Sequence, residues 1–326
     1  MEKGKVLSIV IPTLNRYEYL KRTLEYVIPQ VQKNIDQVEL VICCNASKDK
    51  TDEYIKSLQT KYSFIKYKYF DEYVEVGQSL IRSVNEATGE YVVLWGDDDI
   101  PFPSFTDVIL DIIKENPEVG IIHCNRLAGK DTKYGMRSIH IQEDVLSLED
   151  EGVYPIDKFV ERFTISLGFI SSLVFRRDGW VKGIPYYNDQ YFGYEHLSII
   201  VNGNKDRVCY YFPHPLEYQR LPYERDFSVK WPLYKFVGVP NMMADFDKNG
   251  ITHNALDRWQ KTYNASFAHF VWDMMYTSQD RKYFRSLCKD LNKYQKSKVR
   301  KMLTYCIVNT CPKSLFAFLK KGLYKS

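Results

Sequence analysis

Several features are missing from this 326-residue sequence, and each absence closes off a class of function. No run of 18 or more apolar residues occurs, so no membrane-spanning helix is expected. The opening stretch MEKGKVLSIVIPTLN lacks an apolar core followed by a small-residue cleavage site, so no signal peptide is expected. The seven cysteines are odd in number and show no C-x-x-C spacing. That argues against a zinc site or a disulfide framework and for reduced thiols in a cytosolic protein. Internal repeats and low-complexity segments are also absent. Acidic residues are scarce at one end: residues 281–326 carry 13 Lys/Arg against Asp290 alone, a local net charge of +12. The other 280 residues hold 32 basic and 40 acidic side chains, a net of −8. A mildly acidic body with a strongly basic tail implies two regions with two jobs.

What is present is enough apolar and aromatic material for a sizeable core, arranged with a clear period. VLSIVIP (6–12) is a β-branched run closed by Pro12 and predicts a buried strand. In RYEYLKRTLEYVIPQV, Leu20, Leu24 and Val27 recur at helical spacing. VELVICC (38–44) predicts a second strand, and SKDKTDEYIKSLQTKY a helix capped by Ser47 or Asp49. FIKYKYF (64–70) alternates as a strand, GQSLIRSVNEAT reads as a helix stopped by Gly89, and YVVLWG is a fourth strand. This alternation predicts an α/β fold with a mostly parallel central sheet flanked by helices. Ligands of such sheets sit beyond the carboxyl ends of the strands, at a topological switch point. Thr13, Asn15, Cys44, Asp71 and Asp97 all fall at those ends.

A helix near 104–115 and a strand at 120–125 follow. Residues 126–225 look irregular and aromatic-rich, and beyond about residue 230 the pattern turns helical. The expected division is therefore 1–225 as one domain, with halves 1–125 and 126–225, and 226–326 as a helical, basic extension.

The stretch YVVLWGDDDI (91–100) drives a buried strand into three consecutive aspartates. Three carboxylates at one strand end repel one another unless something positive lies among them. A hard divalent cation with oxygen ligands suits the pattern, since it takes one or two carboxylates and completes its shell from water and phosphate oxygens. A solvated acidic loop or a cap for the helix near 104 is the alternative.

SIVIPTLNR, VICCNASKDKT and GEYVVLWGDDD, in that order and spacing, resemble the family 2 glycosyltransferases of GT-A fold, a Rossmann-like architecture. The resemblance spans roughly residues 5–220 and is strongest over 6–127. It implies transfer of a sugar from a nucleotide diphosphate sugar, usually with inversion, using Mn²⁺ or Mg²⁺ held by a D-x-D motif. By the same resemblance Pro12, Thr13 and Asn15 match the loop that cradles the nucleotide. Asp97 and Asp98 match positions near the ribose and diphosphate, and Asp99 matches the metal ligand. The family commonly has an aspartate against the base where this chain has Cys44, and a thiol is a weak acceptor. Base recognition then passes to Asp71 or to backbone groups, and the usual uridine preference is open. Gln78 and Arg82 are candidates for the diphosphate. His214 lies where some GT-A enzymes place a late metal-ligating histidine, with a structural role as the alternative. The attacking hydroxyl needs a general base, usually Asp or Glu. NDQYFGYEHLSII (188–200) offers Glu195 first and Asp189 second.

The tail mixes apolar residues with lysines, a composition that can lie on an anionic membrane surface. It can also form an ordinary surface helix. No module for nucleic acid accompanies it, so no nucleic-acid partner is expected. The expected partners are a nucleotide diphosphate sugar donor and a saccharide acceptor, one carried on lipid if the tail docks at the inner face of the cell membrane. Two rivals remain. A nucleotidyltransferase would open with a Gly-rich loop after the first strand, and IPTLNRYEYL has no glycine. A sugar-nucleotide-binding or scaffold protein without catalysis would be consistent with Cys44.

Overall fold

The β-branched runs do form the strands they predict, and burial explains why. In the computed structural model, which describes residues 4–132, 135–141, 151–163, 166–221, 233–265, 285–286 and 288–310, β1 (Leu7–Thr13) pairs in parallel with β2 (Val38–Asn45). Every residue of β2 is buried, as expected of a strand covered on both faces. β3 (Ile65–Phe70) extends this side of the sheet, and β4 (Tyr91–Leu94) pairs in parallel with the other edge of β1. The chain thus goes one way from β1 to β2 and β3, then returns to β4 on β1's far side. That reversal between β1 and β4 is the topological switch point.

Helices α1 (Tyr17–Lys33), α2 (Thr51–Lys61), α3 (Val76–Asn85) and α4 (Phe105–Glu115) connect these strands. Leu20, Leu24 and Val27 of α1 are buried, as their spacing requires, and the helix runs through Pro29. Asp49, not Ser47, accepts the N–H of Thr51 at the start of α2 (3.1 Å).

Residues 126–225 hold more regular structure than their composition suggests. After the two-residue β5 (Ile100–Pro101), β6 runs from Val119 to Thr132 and β7 spans Gly135–Ile141. β8 (Gly152–Pro155), α5 (Ile156–Phe163), β9 (Leu173–Arg176), α6 (Arg177–Gly183), α7 (Glu195–Gly203) and β10 (Val208–Leu221) follow. The sheet order is β3-β2-β1-β4-β9-β6-β10-β5, with β7 on β6 and β8 on β10. β9 runs antiparallel between β4 and β6, so the parallel half carries an antiparallel insertion. β10 was hidden in the sequence because Pro213 and Pro215 interrupt it, and proline cannot donate to a ladder. The strand accommodates them through register shifts between Phe212 and Glu217, the mark of a bulge.

Two compact units emerge. The first comprises residues 1–187 with 195–223, and the second 188–194 with 224–326. The second unit contains α8 (Val239–Lys248), α9 (Ala255–Ala265), a short turn of helix α10 (Cys288–Leu291) and α11 (Lys298–Thr310). Among the described residues no helix is long and apolar enough to cross a membrane. The helical patterns read over 266–284 and 311–326 lie outside the described residues.

Candidate active site

The three aspartates stand beyond β4, beside the end of β1, which is the switch point of the sheet. The positive group among them is a side chain. Arg16, in the β1–α1 loop, places Nε 2.9 Å from Asp97 Oδ1, and its other arm pairs with Asp98. Asp97 also accepts from the Thr13 hydroxyl (2.7 Å), and its backbone carbonyl from Thr23 (3.0 Å). Burial pushes the Asp97 carboxyl up to about 7, although Arg16 pulls the other way.

Asp99 points inward and is sealed at 3% exposure. It accepts from Ser171 Oγ (2.6 Å) and from the backbone N–H of Arg220 (3.3 Å). Ser171 in turn accepts the N–H of Gly96 (2.9 Å). A Cβ on Gly96 would collide with the Asp99 carboxylate, so the turn needs glycine. Trp95 packs edge-on against Phe105 (centroids 4.8 Å apart) and donates from its indole to the Asp99 carbonyl (3.0 Å).

Sheet register explains the contact with Arg220. β5 pairs antiparallel with β10, Ile100 opposite Tyr218 and Pro101 opposite Glu217. Continued by one residue, that register brings Asp99 onto the face shared by Glu217 and Gln219. Glu217 is fully buried, and among the described residues neither carboxylate oxygen has a hydrogen-bond partner. Burial, then the charge of Asp99, raises its pKa, while Arg126 lowers it. Arg126 itself is buried, donates to Gln219 (2.9 Å) and stacks over Phe169.

The other expected site residues divide between loop ties and surface. Asn15 adopts a left-handed backbone (φ 53°) and ties two loops: its N–H donates to Ser47 (2.9 Å), and its side chain accepts from Lys48 N–H (2.6 Å). Pro12 is half-buried beside Cys43 in the register. Cys44 is enclosed completely, between Thr13 and Tyr69 in the ladder. Asp71 is exposed beyond β3, and Gln78 is exposed on α3. Arg82 stacks 4.0 Å over Phe70 and bonds to Asn45 and the Glu72 carbonyl, bracing the β3–α3 loop. Glu195 opens α7, buried at 6%. α7 meets α6 at glycines: side chains at Gly183 or Gly203 would strike the backbone of Ile199 or Gly179. Asp189 begins a 3₁₀ turn in the second unit and is exposed. His214 is exposed at the β10 bulge, its ring 5.5 Å from that of Phe212.

The structure therefore gathers Thr13, Asp97, Asp98 and Asp99 and adds Arg16, Ser171, Glu217 and Arg220, which sequence reading did not single out. Arg16 was within reach, being the last residue of SIVIPTLNR and the nearest cation to a row of acids at neighbouring strand ends. Ser171 carried no signal, since only the fold brings it to Asp99.

Comparison with known proteins gives this geometry a setting. The sequence profile described as Glycosyl transferase family 2 matches residues 8–182. A curated relative, the abequosyltransferase RfbV of Salmonella typhimurium, is 25% identical over 264 residues, 76% of this chain and 77% of that protein. S. aureus TarS 1–349, solved also in complex with UDP-GlcNAc, superposes with a TM-score of 0.59 at 11% identity, covering 93% of this chain and 90% of TarS. The mannosyltransferase PcManGT of Pyrobaculum calidifontis, solved with GDP-Man and Mn²⁺, gives 0.56 at 13% identity, covering 99% and 88%. The fold shared with both is that of the GT-A glycosyltransferases.

Proposed function

Since this chain is a glycosyltransferase belonging to glycosyl transferase family 2, we propose that it moves a sugar, with inversion, from a nucleoside diphosphate sugar to a saccharide acceptor carried on lipid, in the assembly of a cell-surface polysaccharide. The observation that carries the reading is the aspartate row at the β1/β4 switch point, bridged by Arg16.

A divalent cation fits this site on the chemistry of its donor set. Among the described residues no three His, Cys, Asp or Glu side chains form a complete cage. One or two carboxylates suffice, however, when phosphate oxygens supply the rest. Asp98 is the solvent-facing member of the row, its side chain 23% exposed, and its partner Arg16 is also reachable by solvent. Asp98 would hold Mn²⁺ or Mg²⁺; Asp99, to which the sequence resemblance gave that role, lies sealed behind it and would fix the turn through Ser171. When bound, the cation would neutralise charge developing on the diphosphate.

The chain's own residues do the rest. Thr13 and Arg16 fix Asp97 so that the row keeps one geometry. Glu195 takes the proton of the attacking hydroxyl on the face away from the leaving diphosphate, which inverts the configuration. Asp189 is the second candidate for that step. The nucleoside part rests in the loops that Asn15 and Ser47 tie together. Residues 1–225 form the transferase domain in this reading, and the basic 226–326 region docks it on anionic lipid. α11 supports that docking: Val299, Met302, Leu303 and Tyr305 are exposed on a helix that also displays Lys298 and Lys301. The relatives' donors differ in base, UDP in one and GDP in the other, so the base is left to experiment.

A thermal-shift screen of UDP, dTDP, GDP and CDP sugars, with and without Mn²⁺, tests the reading. Saturation at one hundred times Kd raises stability by about 2.7 kcal/mol. A shift with one base, enlarged by Mn²⁺, is expected, and no shift with any of them overturns the reading.

A further inference from the structure

Beside the aspartate row, two arginines converge on one aromatic ring. Tyr19, in the first turn of α1, is 41% exposed. The Arg16 guanidinium lies 4.6 Å from its ring centroid, and that of Arg220 lies 4.9 Å from the same centroid. Arg16 arrives from the β1–α1 loop and Arg220 from β10, so only the folded chain brings them together. Two like charges beside one ring repel unless the π-face and nearby carboxylates hold them. Here Arg16 is held by Asp97 and Asp98, and the backbone of Arg220 is anchored on Asp99. The arrangement is fixed before any ligand arrives.

Guanidinium is planar, permanently charged and shaped to meet phosphate oxygens in pairs. We propose that Arg16, Tyr19 and Arg220 form a seat for the donor's diphosphate, with Tyr19 as the positioning residue that keeps the two guanidiniums side by side. This deepens the donor reading above and rests on it. As the sugar–phosphate bond breaks, the bonding electron pair stays with the diphosphate and its negative charge grows. Cations already held beside that charge stabilise it with little reorganisation. The same seat retains diphosphate when no divalent cation is present, because its charge belongs to side chains. The aromatic ring does the positioning, so Phe replaces Tyr without loss and Leu does not.

Calorimetric titration of inorganic pyrophosphate, UDP and GDP into the wild type, Tyr19→Phe and Tyr19→Leu, in EDTA and in Mn²⁺, tests this. Wild type and Tyr19→Phe should bind pyrophosphate in EDTA with equal affinity. Tyr19→Leu should bind it about tenfold more weakly, the scale of a lost cation–π arrangement. Equal melting temperatures for the three proteins show that the change lies in the seat. A Tyr19→Leu protein that binds pyrophosphate like the wild type overturns the proposal. So does a loss confined to UDP and GDP, which would make the ring a platform for base or sugar. A wild type that binds diphosphates only with Mn²⁺ overturns the cation-independent seat. A wild type that binds none of them under either condition overturns the donor reading itself.

Discussion

Replacing Arg16 with Gln tests whether a side chain, in the absence of ligand, is what holds the aspartate row together. The substitution removes the guanidinium that pairs with Asp97 at 2.9 Å and with Asp98. Asp97 then keeps the Thr13 hydroxyl but, among the described residues, no positive partner in an environment only 8% exposed. Breaking a buried ion pair from one side costs about 3–5 kcal/mol when both partners are sealed. Here the Arg16 side chain is 30% and that of Asp98 23% exposed, so water replaces part of the loss. We expect about 2 kcal/mol, roughly half of the sealed value. For a unit of about 200 residues that lowers Tm by about 4–8 °C. The assay is a melt in EDTA, repeated at saturating Mn²⁺. In EDTA the Arg16→Gln protein should melt lower than the wild type. Mn²⁺ should then raise the variant more than the wild type, because the cation takes over the missing counter-charge. A variant that melts within about 1 °C of the wild type in EDTA refutes the reasoning, since the row would then hold without Arg16.

Other expected outcomes follow from the same geometry. Asp98→Asn should weaken Mn²⁺ binding measured by electron paramagnetic resonance with little change in melting, whereas Asp99→Asn should abolish transfer. Mn²⁺ binding lost in Asp99→Asn and kept in Asp98→Asn would exchange their roles. Glu195→Gln should lower kcat by about two to four orders of magnitude with donor affinity unchanged. The same phenotype in Asp189→Asn instead would move the base to that residue. His123 is fully buried, and burial, with Arg126 adding to it, pushes its pKa down to about 3. A depressed histidine contributes stability above its unfolded pKa of about 6.5 and loses it as pH falls, by about 1.4 kcal/mol per unit. The buried carboxyls at the aspartate row titrate in the opposite sense, so the histidine contribution is read as a difference. The stability of the wild type relative to His123→Phe, from urea unfolding, should fall with that slope between pH 6.5 and 5. Finally, removing residues 296–326 should reduce sedimentation with anionic vesicles and activity on lipid-linked acceptor while sparing donor hydrolysis. Undiminished vesicle binding by a stable truncated protein would remove the tail from the mechanism.

Much of the first half of the fold was legible before folding, and particular residues show why. Each β-branched run from Leu7 to Leu94 carries its own signal, because apolar period is a property of near neighbours in sequence. The alternation of those runs with helical spacing dictated a sheet with covered faces, and so placed Thr13 and Asp97 at strand ends. The second half kept its plan hidden. β10 carries two prolines that normally argue against a strand, and a bulge that only a paired neighbour can absorb. The bulge leaves His214 exposed and brings Glu217 onto the face of Asp99, a placement that sequence spacing alone did not show.

The sequence by itself therefore determined that three carboxylates crowd one strand end and that they require compensation. It did not determine what compensates them. Arg16, Ser171 and Arg220 reach the row from separate segments: Arg16 from the neighbouring strand's loop, Arg220 along β10 beside β5, and Ser171 from the turn before β9. Periodicity fixes which face of an element is buried, but a charge or a hydroxyl finds its partner only when strand register sets which residues stand opposite one another.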